Sequence, residues 1–125
     1  MYKRQVFLKA ERRGVNIVLP IDHVVVRDVN PDATSRFIGA DSFEDEDIAV
    51  DIGPQTQALF AETLADAKTV IWNGPMGIFE MEAFAAGTQA IAQAIAHGGA
   101  YSVVGGGDSA AALKATGLTL SLIHI

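Results

Sequence analysis

Residues 72–80 read Trp-Asn-Gly-Pro-Met-Gly-Ile-Phe-Glu, and residues 105–109 read Gly-Gly-Gly-Asp-Ser. An apolar run typical of a strand leads into each stretch, at residues 69–72 and 101–104, and alanine-rich sequence typical of a helix follows. A glycine turn between a strand and a helix N-terminus presents free backbone N–H groups, which favour an anion. Two such turns on successive strands meet at one edge of a parallel sheet, where open α/β folds hold nucleotides. The pair therefore predicts a nucleotide site.

The rest of the chain fits this fold class, because apolar strands alternate with helices along it. We predict a parallel-sheet, three-layer, Rossmann-like α/β nucleotide-binding domain within the 125 residues. The predicted helices are residues 6–13 (ended by Gly14), 54–66 (opened by Pro54), 82–96 and 109–115 (closed by Gly117). The predicted strands are residues 15–19, 23–27, 69–72 and 101–104, with a short strand near 36–38 and a turn at 51–54.

The composition argues against several classes of function. The net charge is −6, and an acidic protein lacks the basic surface expected of a nucleic-acid partner. No apolar run reaches the roughly 18 residues that span a bilayer, so we expect no membrane association and a cytoplasmic location. The absence of cysteine excludes disulfides, thiolate zinc sites and a cysteine nucleophile. The acid-rich run at residues 41–51 is interpreted as a solvated loop, because the alternative, a metal site, lacks EF-hand spacing.

The second glycine turn combines a phosphate cradle with an acid. Residues 105–107 carry no side chain, so a phosphate can approach their backbone closely. Asp108 has two interpretations, as the N-cap of the last helix or as a ligand of a Mg²⁺ ion that bridges phosphate oxygens. The hydroxyl of Ser109 is a candidate donor to the same group. The turn matches neither the dinucleotide fingerprint G-x-G-x-x-G nor a P-loop, because no lysine follows the glycines.

The first glycine turn is stiff. Gly74 permits a positive φ angle, and Pro75 keeps the preceding residue out of the helical region. Asn73 is interpreted either as a turn residue or as part of the site. Glu80 is interpreted either as an acceptor for ribose hydroxyls or as an acid favoured at a helix start. No side chain in the sequence is assigned a catalytic role.

Taken together, these motifs resemble the phosphoglycerate kinase family. The likeness runs from about Val6 to Thr119 and rests most on residues 70–80 and 103–111. Residues 51–56, Asp-Ile-Gly-Pro-Gln-Thr, add to it. The resemblance implies the C-terminal, nucleotide-binding domain of a two-domain kinase that closes about a hinge. That family transfers the acyl phosphate of 1,3-bisphosphoglycerate to ADP in glycolysis, giving 3-phosphoglycerate and ATP, and works with Mg²⁺.

The resemblance also implies roles for residues at matching positions. Glu80 would bind the ribose, and Asn73, Gly74 and Pro75 would line the nucleotide site. The second turn would hold the phosphates, with Asp108 on the metal. The candidate nucleotide-binding residues are therefore Asn73, Gly74, Pro75, Glu80, Gly105, Gly106, Gly107, Asp108 and Ser109.

Several parts of the family pattern are missing, so we expect an incomplete domain. The basic substrate site belongs to the other domain, and 3-phosphoglycerate would therefore be reached only through that missing N-terminal domain. The first strands of the nucleotide domain, with their phosphate-binding lysine, are missing too, as is the last glycine-rich helix start. We expect no transferase activity from this chain alone, whereas the full-length enzyme is expected to be a monomer.

The two ends of the chain resemble translated sequencing-adapter DNA. Residues 1–5 and 120–125 are therefore predicted to be foreign tails, and residues 6–119 the partial nucleotide-binding domain. Two alternatives to an active nucleotide module stay open. One alternative is a truncated piece that neither folds nor binds nucleotide alone, and the other is an unrelated Rossmann-like dinucleotide-binding domain.

Overall fold

The computed structural model describes residues 2–116 and 123–124, and they form two three-stranded sheets with four helices. The helices are α1 (Tyr2–Arg12), α2 (Pro54–Ala65), α3 (Ala86–His97) and α4 (Gly107–Thr116), with a short 3₁₀ helix at Glu82–Phe84. The strands are β1 (Asp22–Val26), β2 (Arg36–Gly39), β3 (Ile48–Ile52), β4 (Thr69–Asn73), β5 (Tyr101–Gly105) and β6 (Ile123–His124). The α/β class predicted from the sequence is confirmed. None of the helices in these ranges is long and apolar enough to cross a membrane.

The first sheet is antiparallel, in the order β2-β1-β3. Loops without a helix join its strands. β2 and β3 lie on opposite edges of β1, so the loop between them crosses over β1. Val24, Val26 and Val50 pack with the fully buried Phe84 beneath this sheet. The expectation of a wholly parallel arrangement is therefore wrong for this half of the chain.

The second sheet is parallel and carries the two glycine turns. β4 pairs with β5 from Thr69↔Tyr101 to Asn73↔Gly105, and β6 pairs with the other edge of β5. The inward side chains, including Trp72 and Val104, share one core with residues of α3 and α4 such as Ile91 and Leu113. On the opposite face Ile71 is 74% exposed and Tyr101 59% exposed. Within the described ranges, helices therefore cover one face of this sheet.

Two boundary predictions are confirmed by the backbone. α2 begins at Pro54. Proline suits the first helical position because an N–H group there would have no acceptor within the helix. α1 ends at a left-handed Gly14 with φ of 68°. The Val15 N–H then donates to Ala10 O at 2.8 Å, which closes a Schellman motif. This helix begins inside the residues predicted to be a foreign tail, whose origin stays a prediction.

Three boundary predictions are wrong. Residues 15–19 form no strand, because no described strand pairs with them. The chain from Ile48 to Ile52 is a strand, although a turn was expected from residue 51. The helix expected over 82–96 is interrupted at Ala85, which caps the 3₁₀ helix before α3 starts. The closure of the last helix by Gly117 and most of the predicted tail 120–125 lie outside the described residues.

Candidate functional site

The two glycine turns lie side by side at the carboxyl edge of the parallel sheet. The pairing of β4 with β5 places Asn73 beside Gly105. Gly74 has φ of 113° and Gly106 has φ of 88°, conformations that side-chain-bearing residues rarely adopt. The Gly74 N–H donates to Ser109 Oγ at 2.6 Å, so a hydrogen bond joins the first turn to the start of α4. The predicted juxtaposition of the two turns is confirmed.

The second turn is open to solvent at the start of α4. Gly106, Gly107 and Asp108 are exposed, and the Ala110 N–H donates to Gly106 O at 3.2 Å to close the first helical turn. Since the first N–H groups of a helix lack intrahelical acceptors, this end can receive an anion. The helix begins at Gly107 and places Asp108 in its first turn. The interpretation of Asp108 as the N-cap is therefore wrong.

Ser109 differs from its neighbours because it is buried, with 1% of its surface exposed. Its hydroxyl oxygen is the acceptor for Gly74, a contact between two turns that are far apart in sequence. The buried Ser109 therefore links the first glycine turn to the start of α4. Its predicted contact with a bound phosphate stays a prediction.

The first turn is held at three places along its length. Gly74 is held by Ser109, the Met76 N–H donates to Thr88 Oγ1 at 3.2 Å, and the Ile78 N–H donates to Val50 O at 3.0 Å. Pro75 lies between the first two of these bonds and is partly buried. These contacts reach α4, α3 and β3, so tertiary structure sets the conformation of this turn.

Glu80 is the last residue of the 72–80 stretch and lies on the exposed surface. It lines a shallow groove with Pro31, Met81, Glu82 and Ala83. No hydrogen bond or ion pair in the described part of the chain joins it to the glycine turns. The structure therefore brings Asn73, Gly74, Gly105, Gly106 and Ser109 together and leaves Glu80 at the margin.

Sequence reasoning missed two buried carboxylates, Asp22 and Asp51, which are 5% and 4% exposed. Asp51 Oδ2 accepts the Gly87 N–H of α3 and Oδ1 accepts the Ile52 N–H, both at 2.8 Å. Burial raises the pKa of the Asp51 carboxyl, and these two N–H groups offset only part of that rise. Asp51 was interpreted as a turn residue, and the signal against that reading was the apolar Ile48-Ala49-Val50 run before it.

Asp22 caps α2 from a distant strand. Its carboxylate accepts the backbone N–H groups of Gln55 at 2.9 Å and Thr56 at 2.8 Å, and also the Thr56 hydroxyl. Burial alone would raise the pKa of Asp22, but the Thr56 hydroxyl and the two N–H groups lower it below its ordinary value. Gly53 is required beside it, because a Cβ there would collide with the carboxylate.

The acid-rich loop forms ion pairs on the surface. Arg27 Nη1 lies 2.9 Å from Glu46 Oε2, and Arg27 also pairs with Glu44 and Asp47. Arg36 pairs with Asp47 across the same loop. Among the residues that the structure describes, no group of three or more histidines and acids is arranged to hold a metal ion.

Comparisons with known proteins agree with this geometry. The sequence profile of the phosphoglycerate kinase family matches residues 2–125. This chain belongs to the phosphoglycerate kinase family. It is 51% identical over 123 residues to the phosphoglycerate kinase of Dictyoglomus turgidum and 46% identical over 122 residues to that of Desulfosudis oleivorans. Each alignment covers 98% of this chain and 31% of the relative, so this chain is a fragment of a phosphoglycerate kinase.

Solved structures place it in the same family. Phosphoglycerate kinase from Coxiella burnetii superposes with a TM-score of 0.93 at 41% identity, covering 97% of this chain and 31% of that one. The enzyme from Pyrococcus horikoshii superposes with a TM-score of 0.73 at 32% identity, covering 98% and 32%. The α/β fold described above is therefore that of a part of phosphoglycerate kinase.

Proposed function

We propose that this chain is the magnesium-nucleotide-binding part of a phosphoglycerate kinase. The whole enzyme would transfer a phosphoryl group reversibly between 1,3-bisphosphoglycerate and ADP, giving 3-phosphoglycerate and ATP in cytoplasmic glycolysis. One observation carries the proposal: two glycine turns end adjacent parallel strands and are joined by the hydrogen bond from Gly74 to Ser109, and the second turn leads into the N-terminus of α4.

The phosphates of the nucleotide would lie on the second turn. Residues 105–107 keep this surface free of side chains, and the start of α4 offers N–H groups and a favourable dipole. Asn73 lies at the same edge, because a Cβ added at Gly106 would be 3.5 Å from Asn73 Oδ1. Asn73, Gly74 and Pro75 would then border the nucleotide, with Glu80 at the ribose end.

The residues present suit Mg²⁺ as a partner of the nucleotide. Mg²⁺ commonly takes one or two protein carboxylates and completes its shell with phosphate oxygens and water. Asp108 provides one exposed carboxylate beside the phosphate-binding backbone. The ion would offset the electrostatic repulsion between this carboxylate and a phosphate. Phosphoryl transfer depends mainly on such positioning and charge neutralisation.

The complete reaction needs parts beyond this chain, which spans about 31% of its relatives. Arg27 and Arg36 are paired with acids of the neighbouring loop, so they are not available to hold a phosphorylated acid. We propose that the acid substrate binds elsewhere in the full enzyme, a monomer. The chain alone would then bind nucleotide without catalysing transfer.

The test is an amide ¹H–¹⁵N NMR titration of the 125-residue chain with ADP and Mg²⁺. Selective shifts at residues 73–80 and 105–109 are expected. Dispersed peaks that do not move would refute nucleotide binding by this chain, and collapsed peaks would show a truncated piece that does not fold. A preference for NAD over ADP would instead favour the dinucleotide-binding alternative.

The metal assignment has its own control. Asp108→Asn should abolish most of the increase in ADP affinity that Mg²⁺ produces. Asp66→Asn removes another exposed acid, at the end of α2, and should leave that increase unchanged. An equal dependence on Mg²⁺ in both variants would remove Asp108 from the site.

A further inference from the structure

Asp51 is a buried carboxylate to which the proposed nucleotide site gives no role. It lies in β3 with 4% of its surface exposed, in the segment 51–56 that contributes to the family likeness. Its oxygens accept the N–H groups of Ile52 and Gly87, each at 2.8 Å. Burying a carboxylate costs free energy. The groups that contact Asp51 therefore indicate its role.

The first glycine turn packs directly against this carboxylate. A Cβ at Gly77 would lie 2.8 Å from Asp51 Oδ1, and one at Gly87 would collide with the same group. The Ile78 N–H donates to the backbone oxygen of Val50, the residue before Asp51, at 3.0 Å. The carboxylate therefore fills the space between β3, the glycine turn and the first turn of α3.

We infer that Asp51 is a positioning residue that holds the first glycine turn, and through it Glu80, in the geometry that recognises the ribose of a nucleoside diphosphate. The inference rests on the proposed nucleotide site. Ile78 and Glu80 belong to one tight turn, which the Met81 N–H closes onto Ile78 O at 3.1 Å. A displacement at Gly77 therefore carries Glu80 with it, whereas Ser109 holds the opposite end of the turn at Gly74.

Asp51→Asn tests the role with little change in volume. The amide keeps one acceptor oxygen but turns an N–H₂ donor towards either Ile52 or Gly87, whose N–H groups are also donors. Asp22→Asn is the matched control. Asp22 has a similarly small exposed fraction and also accepts two backbone N–H groups, but the described hydrogen bonds of its side chain are to α2 and not to the turn.

The measurement compares ADP with 2′,3′-dideoxy-ADP, which lacks both ribose hydroxyls. The unsubstituted chain should bind ADP about tenfold more tightly, the usual size of a hydrogen bond to a charged acceptor. In Asp51→Asn, as in Glu80→Ala, the ratio of the two dissociation constants should fall towards one, whereas in Asp22→Asn it should persist. A purely structural role would weaken both ligands equally and leave the ratio intact, and that result would overturn the inference.

Hydrogen exchange in the unsubstituted chain decides the matter if Asp51→Asn does not fold. Adding Mg²⁺ and ADP should slow exchange at Ile52 and Gly87, the donors to Asp51, more than at Gln55 and Thr56, the donors to Asp22. Equal slowing at the two pairs would overturn the role.

If the chain binds no ADP, the proposed function fails separately. Asp51→Asn must then still speed exchange at Ile78 more than Asp22→Asn does, and an unchanged Ile78 would refute the positioning role.

Discussion

Asp22 and Asp51 are two carboxylates of nearly equal surface exposure, and each accepts at least one backbone N–H group from the start of a helix. Their pKa values nevertheless move in opposite directions, down for Asp22 and up for Asp51. Asp51 lies deeper in the protein, so burial raises its pKa more, whereas Asp22 has the Thr56 hydroxyl as a donor in addition to two N–H groups. The comparison teaches that the depth of burial and the number of donors together decide whether a buried carboxylate is stabilised as an anion.

The largest expected effect follows from the cap of α2. Asp22→Ala leaves two backbone N–H groups and the Thr56 hydroxyl without their acceptor, and should lower the free energy of unfolding by about 3 kcal/mol. Asp51→Ala should cost about 1–2 kcal/mol, because it also relieves an incompletely compensated buried charge. Urea denaturation of both variants measures the difference. A larger loss for Asp51→Ala would reverse the comparison.

The glycines beside the two carboxylates test how closely each carboxylate is packed. A Cβ at Gly53 would collide with Asp22, and one at Gly87 with Asp51. Each alanine substitution should lower the free energy of unfolding by about 1–3 kcal/mol, the usual cost of overpacking. Gly99→Ala is the control, because its added Cβ meets nothing within 4 Å. Thermal unfolding that ranks Gly99→Ala with the other two would show that crowding at the carboxylates is not the cause.

The bond between the turns comes next in size. Ser109→Ala removes the acceptor of the Gly74 N–H and should cost about 1 kcal/mol of stability. Ser102→Ala is a matched loss of a buried hydroxyl whose bond, to Ala100 O at 3.3 Å, is local. We therefore expect a smaller loss for Ser102→Ala by urea denaturation. Equal losses would mean that the long-range bond adds nothing.

The smallest effect is on the pH dependence of stability. The pKa of Asp22 is lowered, so its stabilisation is present above its unfolded value of 3.8 and is lost as the pH falls through the folded value. The pKa of Asp51 is raised, so the folded state binds its proton more tightly, and this group adds stability as the pH falls from the raised value towards 3.8. Unfolding titrations between neutral and acidic pH should show this rise in the parent chain and its loss in Asp51→Asn. A rise that survives in Asp51→Asn would assign it to another group.

Local chemistry explains what could be predicted. Gly74 has the positive φ that its lack of a side chain permits, and α2 begins at Pro54. The order of strand, glycine turn and helix was enough to expect two turns at one sheet edge, and the β4–β5 pairing confirms it. The strand at residues 48–52 was missed because its pairing with β1 is long-range and its last residues read as a turn.

The sequence by itself determined where the glycine turns lie, which helix follows each, and the family to which the motifs point. These features depend on backbone freedom and side-chain type within a few neighbouring residues. Only the tertiary structure decided that Ser109 faces inward to Gly74. It also decided that Asp22 in β1 accepts N–H groups of α2 and that Asp51 in β3 accepts an N–H group of α3. The reason is that a buried polar group takes its partner from whatever the fold brings within about 3 Å, and no local pattern specifies that partner.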